Sequence, residues 1–465
     1  MISQEVSFDR AMIHRYDRSG PRYTSYPTAP HFSDRFGGKA FRKNIVAATS
    51  FQPDRPLSLY IHIPFCDTVC YYCACNKVVT PDRSRAAYYL TYLEKEIALV
   101  GSLFDQRRPV VQLHLGGGSP TYLTLDQMGH LLEVVRNHFF LLDDDQGEYG
   151  IEVDPREVPR GTVRGLRALG FNRISIGVQD LDPRVQKAVN RIQPQTLNQQ
   201  VVAEAREAGF QSINLDLIYG LPLQGTDSFL NTLETVVNDL DPDRLAIFNY
   251  AHLPQYFSPQ RRIQTEDLPN AETKLQILEQ TIRFLTAHDY VYVGMDHFAK
   301  PTNELARAQR HGALHRNFQG YTTHAECDLV GLGVTAISQV GTSYAQNQKE
   351  LETYYHQLDH NELTVFRGLQ LSQDDVIRRD VIMRLICDFQ LDCAAMEKKH
   401  GVIFADYFSS EMVILRQMVV EGLMEERGSV LQVTPAGRLL VRNICMVFDW
   451  YLRHAEQKKS FSKTI

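Results

Sequence analysis

The residues best equipped for chemistry lie in one short run, Cys66-Asp67-Thr68-Val69-Cys70-Tyr71-Tyr72-Cys73, a C-x3-C-x2-C array of thiols. Three thiolates on one loop can wrap one face of a metal centre, and soft sulfur ligands select zinc or iron–sulfur clusters. Structural zinc sites usually draw four ligands from two separated C-x2-C pairs, and here the second pair is missing. Cys75 could add a fourth thiolate, but it stands so close behind Cys73 that the chain would have to fold back sharply. The array suits a cubane iron–sulfur cluster that keeps one iron free of protein ligands, held by Cys66, Cys70 and Cys73. An open iron implies a ligand from outside the protein. A zinc module or a buried loop of reduced cysteines is the plainer alternative. Cys327, Cys387, Cys393 and Cys445 are scattered, and eight cysteines among 465 residues are too few for a disulfide framework.

Such a loop needs a rigid edge to hang from. Short β-rich runs at residues 57–63, 110–115, 149–153, 173–178, 212–217 and 244–249 alternate with longer amphipathic stretches, among them 86–100 and 197–208. This alternation predicts six βα units around a parallel sheet, an α/β fold. The cysteine array directly follows the first strand. Gly116-Gly117-Gly118-Ser119-Pro120 follows the second, Glu152 ends the third, Gln179 follows the fourth with Arg191 a little beyond, and Asp216 sits in the fifth. Parallel sheets and barrels gather their sites at the C-terminal ends of the strands, so these groups should share one mouth. Glycines there let the backbone approach a ligand and turn its N–H groups toward it. Carboxylates, an amide and a guanidinium together match a zwitterionic ligand.

After about residue 366 strands become scarce. A helix over 412–424, a strand at 430–433 and a helix start at 434–437 predict a unit resembling winged-helix domains, without the basic recognition helix that DNA binding would need. The expected division is an N-terminal extension of residues 1–50 over the active site, a catalytic part with its extension over 51–365, and a mostly helical domain over 366–465. Hydrophobic residues make up 43% and charged residues 22%, ordinary for a globular protein. The 49 basic and 55 acidic residues leave a net charge of -6, so no global cationic field exists to hold nucleic acid or an anionic membrane. No apolar run is long enough to span a bilayer, and Met1-Ile2-Ser3-Gln4-Glu5-Val6 lacks the layout of a secretory signal. A cytoplasmic location is expected. With no association motif in view, so is a monomer.

The array Cys66, Cys70, Cys73, with Tyr72 just before its last cysteine, resembles the signature of radical S-adenosylmethionine (SAM) enzymes. The resemblance implies a 4Fe-4S cluster whose open iron chelates the amino and carboxylate groups of SAM and donates an electron that breaks a C–S bond, giving a deoxyadenosyl radical. It also implies a partial (β/α)6 TIM-like barrel, in agreement with the strands read above. On this resemblance the SAM contacts are Tyr60, Tyr72, Gly117, Gly118, Ser119, Glu152, Gln179, Arg191, Asp216, Ala251 and Ile337. Ser119 stands where threonine is commoner, which keeps the hydroxyl.

Further motifs extend the likeness over nearly the whole chain: Gly20-Pro21-Arg22-Tyr23-Thr24, His62-Ile63-Pro64-Phe65-Cys66, Asp216-Leu217-Ile218-Tyr219-Gly220, Gly294-Met295-Asp296-His297-Phe298 and Asn317-Phe318-Gln319-Gly320-Tyr321. This set resembles the oxygen-independent coproporphyrinogen III oxidases of haem and porphyrin biosynthesis. The resemblance implies that two propionate side chains of coproporphyrinogen III become vinyl groups with loss of carbon dioxide, giving protoporphyrinogen IX. It also implies an electron donor such as a flavodoxin-like protein. The substrate carries four carboxylates, so an acidic protein must concentrate cations locally, with Arg22, Arg261, Arg262, Lys300 and Arg316 as candidates. His62, Tyr23, Phe318 and Gln319 are further candidates for contact with substrate or cluster. The alternative function is that of a haem-binding chaperone with the same array. Such proteins typically carry phenylalanine at the position of Cys75 and lack the Arg22-Tyr23 motif, so this chain sides with the oxidases.

Overall fold

Six strands form the frame of the larger structural unit: β1 (Leu57–Ile63), β2 (Pro109–Gly117), β3 (Glu148–Val153), β4 (Arg173–Gln179), β5 (Ser212–Tyr219) and β6 (Arg244–Asn249). They lie side by side in chain order, every neighbouring pair parallel. This is the partial (β/α)6 arrangement, seen in a computed structural model that describes residues 5–143, 145–454 and 461. A parallel strand Asp328–Leu332 extends the sheet beyond β1, and three antiparallel strands, Ile337–Val340, Ser343–Asn347 and Val365–Gln370, continue it. Strands covered on both faces read as continuous apolar runs. In β1 six of seven residues are buried, Tyr60 being the partial exception. This unit comprises Phe32–Thr281 and Glu326–Gln370.

The helices between strands follow from apolar spacing and end signals. Ser84–Gly101 buries Tyr89, Leu93, Ile97 and Val100 along one face. Leu125–His138 opens on a capping box in which Thr124 and Gln127 satisfy each other's backbone N–H groups. Gln195–Ala208 follows Pro194 and stops at Gly209, whose φ of 84° is the left-handed conformation that glycine adopts without strain. The predicted strands are all present. The second runs on to Gly117 and so carries its glycines into the sheet edge.

The other unit gathers Met1–His31, Ile282–Ala325 and Leu371–Ile465. It holds the helix Gln373–Asp388, two hairpins (Val291–Gly294 with His297–Ala299, and His315–Asn317 with Gly320–Thr322), and a three-stranded sheet of Gln390–Asp392, Val430–Val433 and Met424–Arg427. The helix expected over 412–424 spans Ser409–Val420. Gly422, with φ of 84°, ends that turn, and Met424 opens a strand. The expected terminal segments include residues 1–4, 455–460 and 462–465, which lie outside the described residues. Among the described residues no helix is long and apolar enough to cross a membrane.

Candidate active site

The cysteine loop leaves the C-terminal end of β1. Its first residues, Phe65–Cys66, pair in parallel with Val78–Val79, so the segment between them is closed at its base by a miniature sheet. Phe65 is fully buried between the rings of Tyr89 and Tyr122, at 5.6 and 5.4 Å. The loop is pinned at its far side by Tyr71 N–H to the Val189 carbonyl at 2.9 Å and by the Asn190 amide to the Val69 carbonyl at 2.7 Å. Cys66, Cys70, Cys73 and Cys75 all face one cavity of about 340 Å³, a size suited to a nucleoside-sized ligand. Among the described residues no three His, Cys, Asp or Glu side chains converge on one point as a single bare ion would require. In a cube three irons would each take one thiolate, so its cysteines need not converge on one point. A hydrogen bond from Cys75 draws the Cys73 thiol down to about 6, against the effect of burial, which makes it a ready thiolate; its partner Cys75 is pushed up in return.

The glycine turn is laced to the base of the cysteine loop. Gly118 N–H reaches the Ile63 carbonyl and Ser119 N–H the Phe65 carbonyl, both at 2.8 Å. Gly117, with φ of 122°, lies over the His62 ring, where a Cβ would stand 2.7 Å from two ring atoms. Glu152, from the end of β3, accepts Gly117 N–H at 3.1 Å and faces His114 Nε2 at 3.3 Å. Burial pulls its carboxyl up, but the bonds from His114 and Gly117 outweigh this and hold it below the usual range, so it is ionised. Gln179 closes β4 at φ of 68°, beyond a register shift against β5 that turns its side chain into the cavity. Arg191 is buried. It donates to the Gly177 carbonyl at 2.6 Å and to Asp154 at 2.8 Å, while its Nε has no protein partner.

Asp216, from β5, accepts from Ser175 Oγ at 3.0 Å and from Asn214 Nδ2 at 2.8 Å. Burial and the negative charge of Glu152 push its carboxyl up to about 6 from the ordinary 3.8. A carboxyl raised on folding holds its proton more tightly in the folded state, so its ionisation destabilises the fold as pH rises from about 4 through 6. Asp216→Asn keeps the shape and removes the charge. At pH 7.5 the variant is expected to gain about 1–2 kcal/mol, less than the full shift because the site is partly open to solvent, with the gain gone by about pH 4. Paired thermal melts at the two pH values check this.

The cavity lining brings together the three cysteines, Cys75, Tyr72, Gly117, Gly118, Ser119, Glu152, Gln179, Arg191 and Asp216. Tyr60, Ala251 and Ile337 belong to the same unit but do not line it; Tyr60 stacks on His114 with ring centres 6.1 Å apart. His62 is buried beneath Gly117, with Nε2 3.1 Å from the Asn76 carbonyl and Nδ1 3.2 Å from the Tyr60 hydroxyl. Arg261 and Arg262 are exposed, the first donating to the Pro254 carbonyl and the second lying over the Tyr71 ring. Arg22, Tyr23, Lys300, Arg316, Phe318 and Gln319 belong to the other unit. There Arg22 pairs with Asp296 at 2.7 Å, buried Tyr23 donates to Asp449 at 2.9 Å, and buried Arg316 lies over the Tyr321 ring. Sequence reading passed over Asp154, Arg156 and His114. The Asp-Pro-Arg step after β3 was a usable signal, because Asp154 caps the short turn and aims both arginines.

A model of the radical SAM superfamily matches residues 60–236, and a model of the HemN C-terminal domain matches residues 371–440. The oxygen-independent coproporphyrinogen III oxidase of Escherichia coli (strain K12) is 51% identical over 465 residues, all of both chains. The enzyme of that name from Pseudomonas aeruginosa is 50% identical over 460 residues, 99% of both chains. The chain belongs to the oxygen-independent coproporphyrinogen III oxidase family. A solved structure described as coproporphyrinogen III oxidase (HemN) from Escherichia coli, a radical SAM enzyme, superposes with a TM-score of 0.91 at 50% identity, covering 96% of this chain and 100% of that one. As a member of this oxidase family the protein is a radical SAM enzyme that uses a 4Fe-4S cluster and SAM. The residues fit both groups: soft sulfur donors face the cavity, and Arg191 offers a buried donor without a protein acceptor.

Proposed function

We propose that Cys66, Cys70 and Cys73 hold the cluster and that the cavity beside them binds SAM. Glu152, Gln179, Arg191 and Asp216 provide its polar walls, and the Gly116–Ser119 turn provides its floor. The protein catalyses the oxidative decarboxylation of two propionates of coproporphyrinogen III to vinyl groups, giving protoporphyrinogen IX. What carries this reading is that the cysteine array, the glycine turn and the strand-end carboxylates all face one cavity. When bound, the cluster and SAM supply a one-electron cleavage that yields a hydrogen-abstracting carbon radical. The chain's own part is to orient and to exclude solvent. Ionised Glu152, braced by His114 and Gly117 N–H, presents an acceptor for an ammonium group, and Asp216 presents one for hydroxyls. Arg191, fixed by Asp154 and the Gly177 carbonyl, places its guanidinium charge in the cavity wall for an anion.

Each propionate gives up a hydrogen atom, carbon dioxide and one electron, which an acceptor must take. We assign the chemistry to residues 51–365 and substrate handling to 1–50 and 366–465. Carboxylate binding falls to Arg22, Arg261, Arg262, Lys300 and Arg316, with Tyr23, Phe318 and Gln319 beside the macrocycle. A flavodoxin-like donor, a monomeric state and a cytoplasmic location complete the proposal. Glu152→Ala tests the SAM assignment. It should leave iron and sulfide content unchanged while weakening SAM binding about ten-fold in equilibrium dialysis, as expected for one charge-assisted contact. Loss of the cluster instead would make Glu152 a structural residue.

A further inference from the structure

We infer that Arg156 is a positioning residue for the cluster: held by Asp154, it donates a charge-assisted hydrogen bond to the Cys70 sulfur and raises the cluster's reduction potential. This rests on the reading that Cys70 is a cluster ligand. Arg156 follows β3 in the turn Pro155–Glu157 and lines the same cavity, though it is not among the residues that the family resemblance assigns to SAM, and its Nη2 lies 3.3 Å from Cys70 Sγ. The same guanidinium is clamped to Asp154, Nε to Oδ1 at 3.0 Å and Nη2 to Oδ2 at 2.6 Å, so little freedom remains to swing away. Asp154 Oδ2 also takes Arg191 Nη1 at 2.8 Å, and that atom lies 3.6 Å from the same sulfur. One carboxylate thus aims two guanidinium groups at one thiolate, and both arginines are largely buried.

The physical consequence follows from charge. Reduction adds an electron to the cluster, and a neighbouring cation with an N–H aimed at a ligand sulfur stabilises the reduced form more than the oxidised form. Arg191 has a second duty toward SAM, whereas the hydrogen bonds of Arg156 run to Asp154 and the Cys70 sulfur. Removing Arg156 should therefore make the cluster harder to reduce, and the midpoint, read without SAM, reports this apart from any change in SAM binding.

The test is an anaerobic redox titration of reconstituted, SAM-free enzyme with dithionite and mediators, following the electron paramagnetic resonance signal of the reduced cluster. At the wild-type midpoint, Arg156→Gln should lower the ratio of reduced to oxidised cluster about ten-fold, a negative shift of about 59 mV for one electron. Arg156→Lys keeps the charge but not the fork, and should shift less in the same direction. Iron and sulfide analysis confirms loading, and if the glutamine variant takes up no cluster the lysine variant decides by the same rule. SAM affinity, measured separately, should change by a smaller factor than the redox ratio. A wild-type midpoint in the loaded variants overturns the inference, as does a ten-fold loss of SAM affinity at unchanged midpoint. Cys70→Ser, titrated alongside, separates the two levels. If that variant retains a full cluster, the ligand reading itself fails; if it loses the cluster while the Arg156 variants keep the wild-type midpoint, only this inference fails.

Discussion

Cys70→Ser should produce a folded protein that cannot be loaded. Cys70 is buried where the loop turns, with two guanidinium groups directed at its sulfur. A serine hydroxyl is a hard, neutral donor at neutral pH, and thiolate softness is what selects iron–sulfur clusters. Two remaining cysteines leave a second iron without a protein ligand, beside the one left open for SAM. The expected result is loss of the broad visible absorption after anaerobic reconstitution, iron and sulfide well below stoichiometric amounts, and SAM cleavage reduced by at least about a thousand-fold, the scale on which essential catalytic groups are lost. The fold itself should survive, since replacing one buried thiol by a hydroxyl costs on the order of 1–3 kcal/mol. A thermal melt separates this outcome from simple unfolding. A full cluster with activity would contradict the ligand assignment.

The second large effect is expected from a single methyl group. At Gly118 an added Cβ would stand 2.7 Å from the Phe65 carbonyl oxygen and 2.8 Å from the Pro64 carbonyl group, all of it backbone that cannot rotate away. The same glycine donates to the Ile63 carbonyl at 2.8 Å. Alanine must therefore part the glycine turn from the base of the cysteine loop, at a strain of about 1–3 kcal/mol. A displacement approaching an ångström between a cofactor and the groups that orient it costs about a hundred-fold in rate. Gly118→Ala should accordingly lower turnover a hundred-fold or more and weaken SAM binding, with the protein still folded in a thermal melt. Gly129→Ala is the natural control. It lies within the helix Leu125–His138, its added Cβ meets nothing nearer than a Leu169 methyl at 3.5 Å, and it should leave turnover unchanged while raising the melting temperature. Equal losses in the two variants would contradict the close-approach argument.

What could be read from the chain alone followed physical periodicity. Six strands were visible because parallel strands buried on both faces leave continuous apolar runs, and the bounds of β1 and β6 match to the residue. The thiols, glycines and strand-end carboxylates were visible because their types are uncommon at such spacing. Interactions that depend on side-chain direction were not. The Arg156 and Arg191 pair around Asp154 joins residues from two different βα units, and nothing in local sequence tells which arginine will face a sulfur and which will meet solvent. The pairing of Phe65–Cys66 with Val78–Val79 was hidden for a different reason: two-residue strands carry no periodicity. The end of the helix Ser409–Val420 was misplaced because apolar residues continue through the left-handed Gly422 into a strand, and an apolar run alone does not distinguish the two. Tyr23 carried a motif, yet its burial and its bond to Asp449 depend on tertiary packing that the motif does not encode.

The most direct measurement combines the cluster, the cofactor and the substrate in one vessel. Anaerobically reconstituted protein, SAM, a low-potential reductant and an electron acceptor are incubated with coproporphyrinogen III, and porphyrin products and carbon dioxide are quantified beside 5′-deoxyadenosine and methionine. The expected result is conversion to the divinyl product with two carbon dioxides and at least two SAM cleavages per macrocycle. A protein with an intact cluster that cleaves SAM yet releases no carbon dioxide and forms no vinyl group would contradict the assignment.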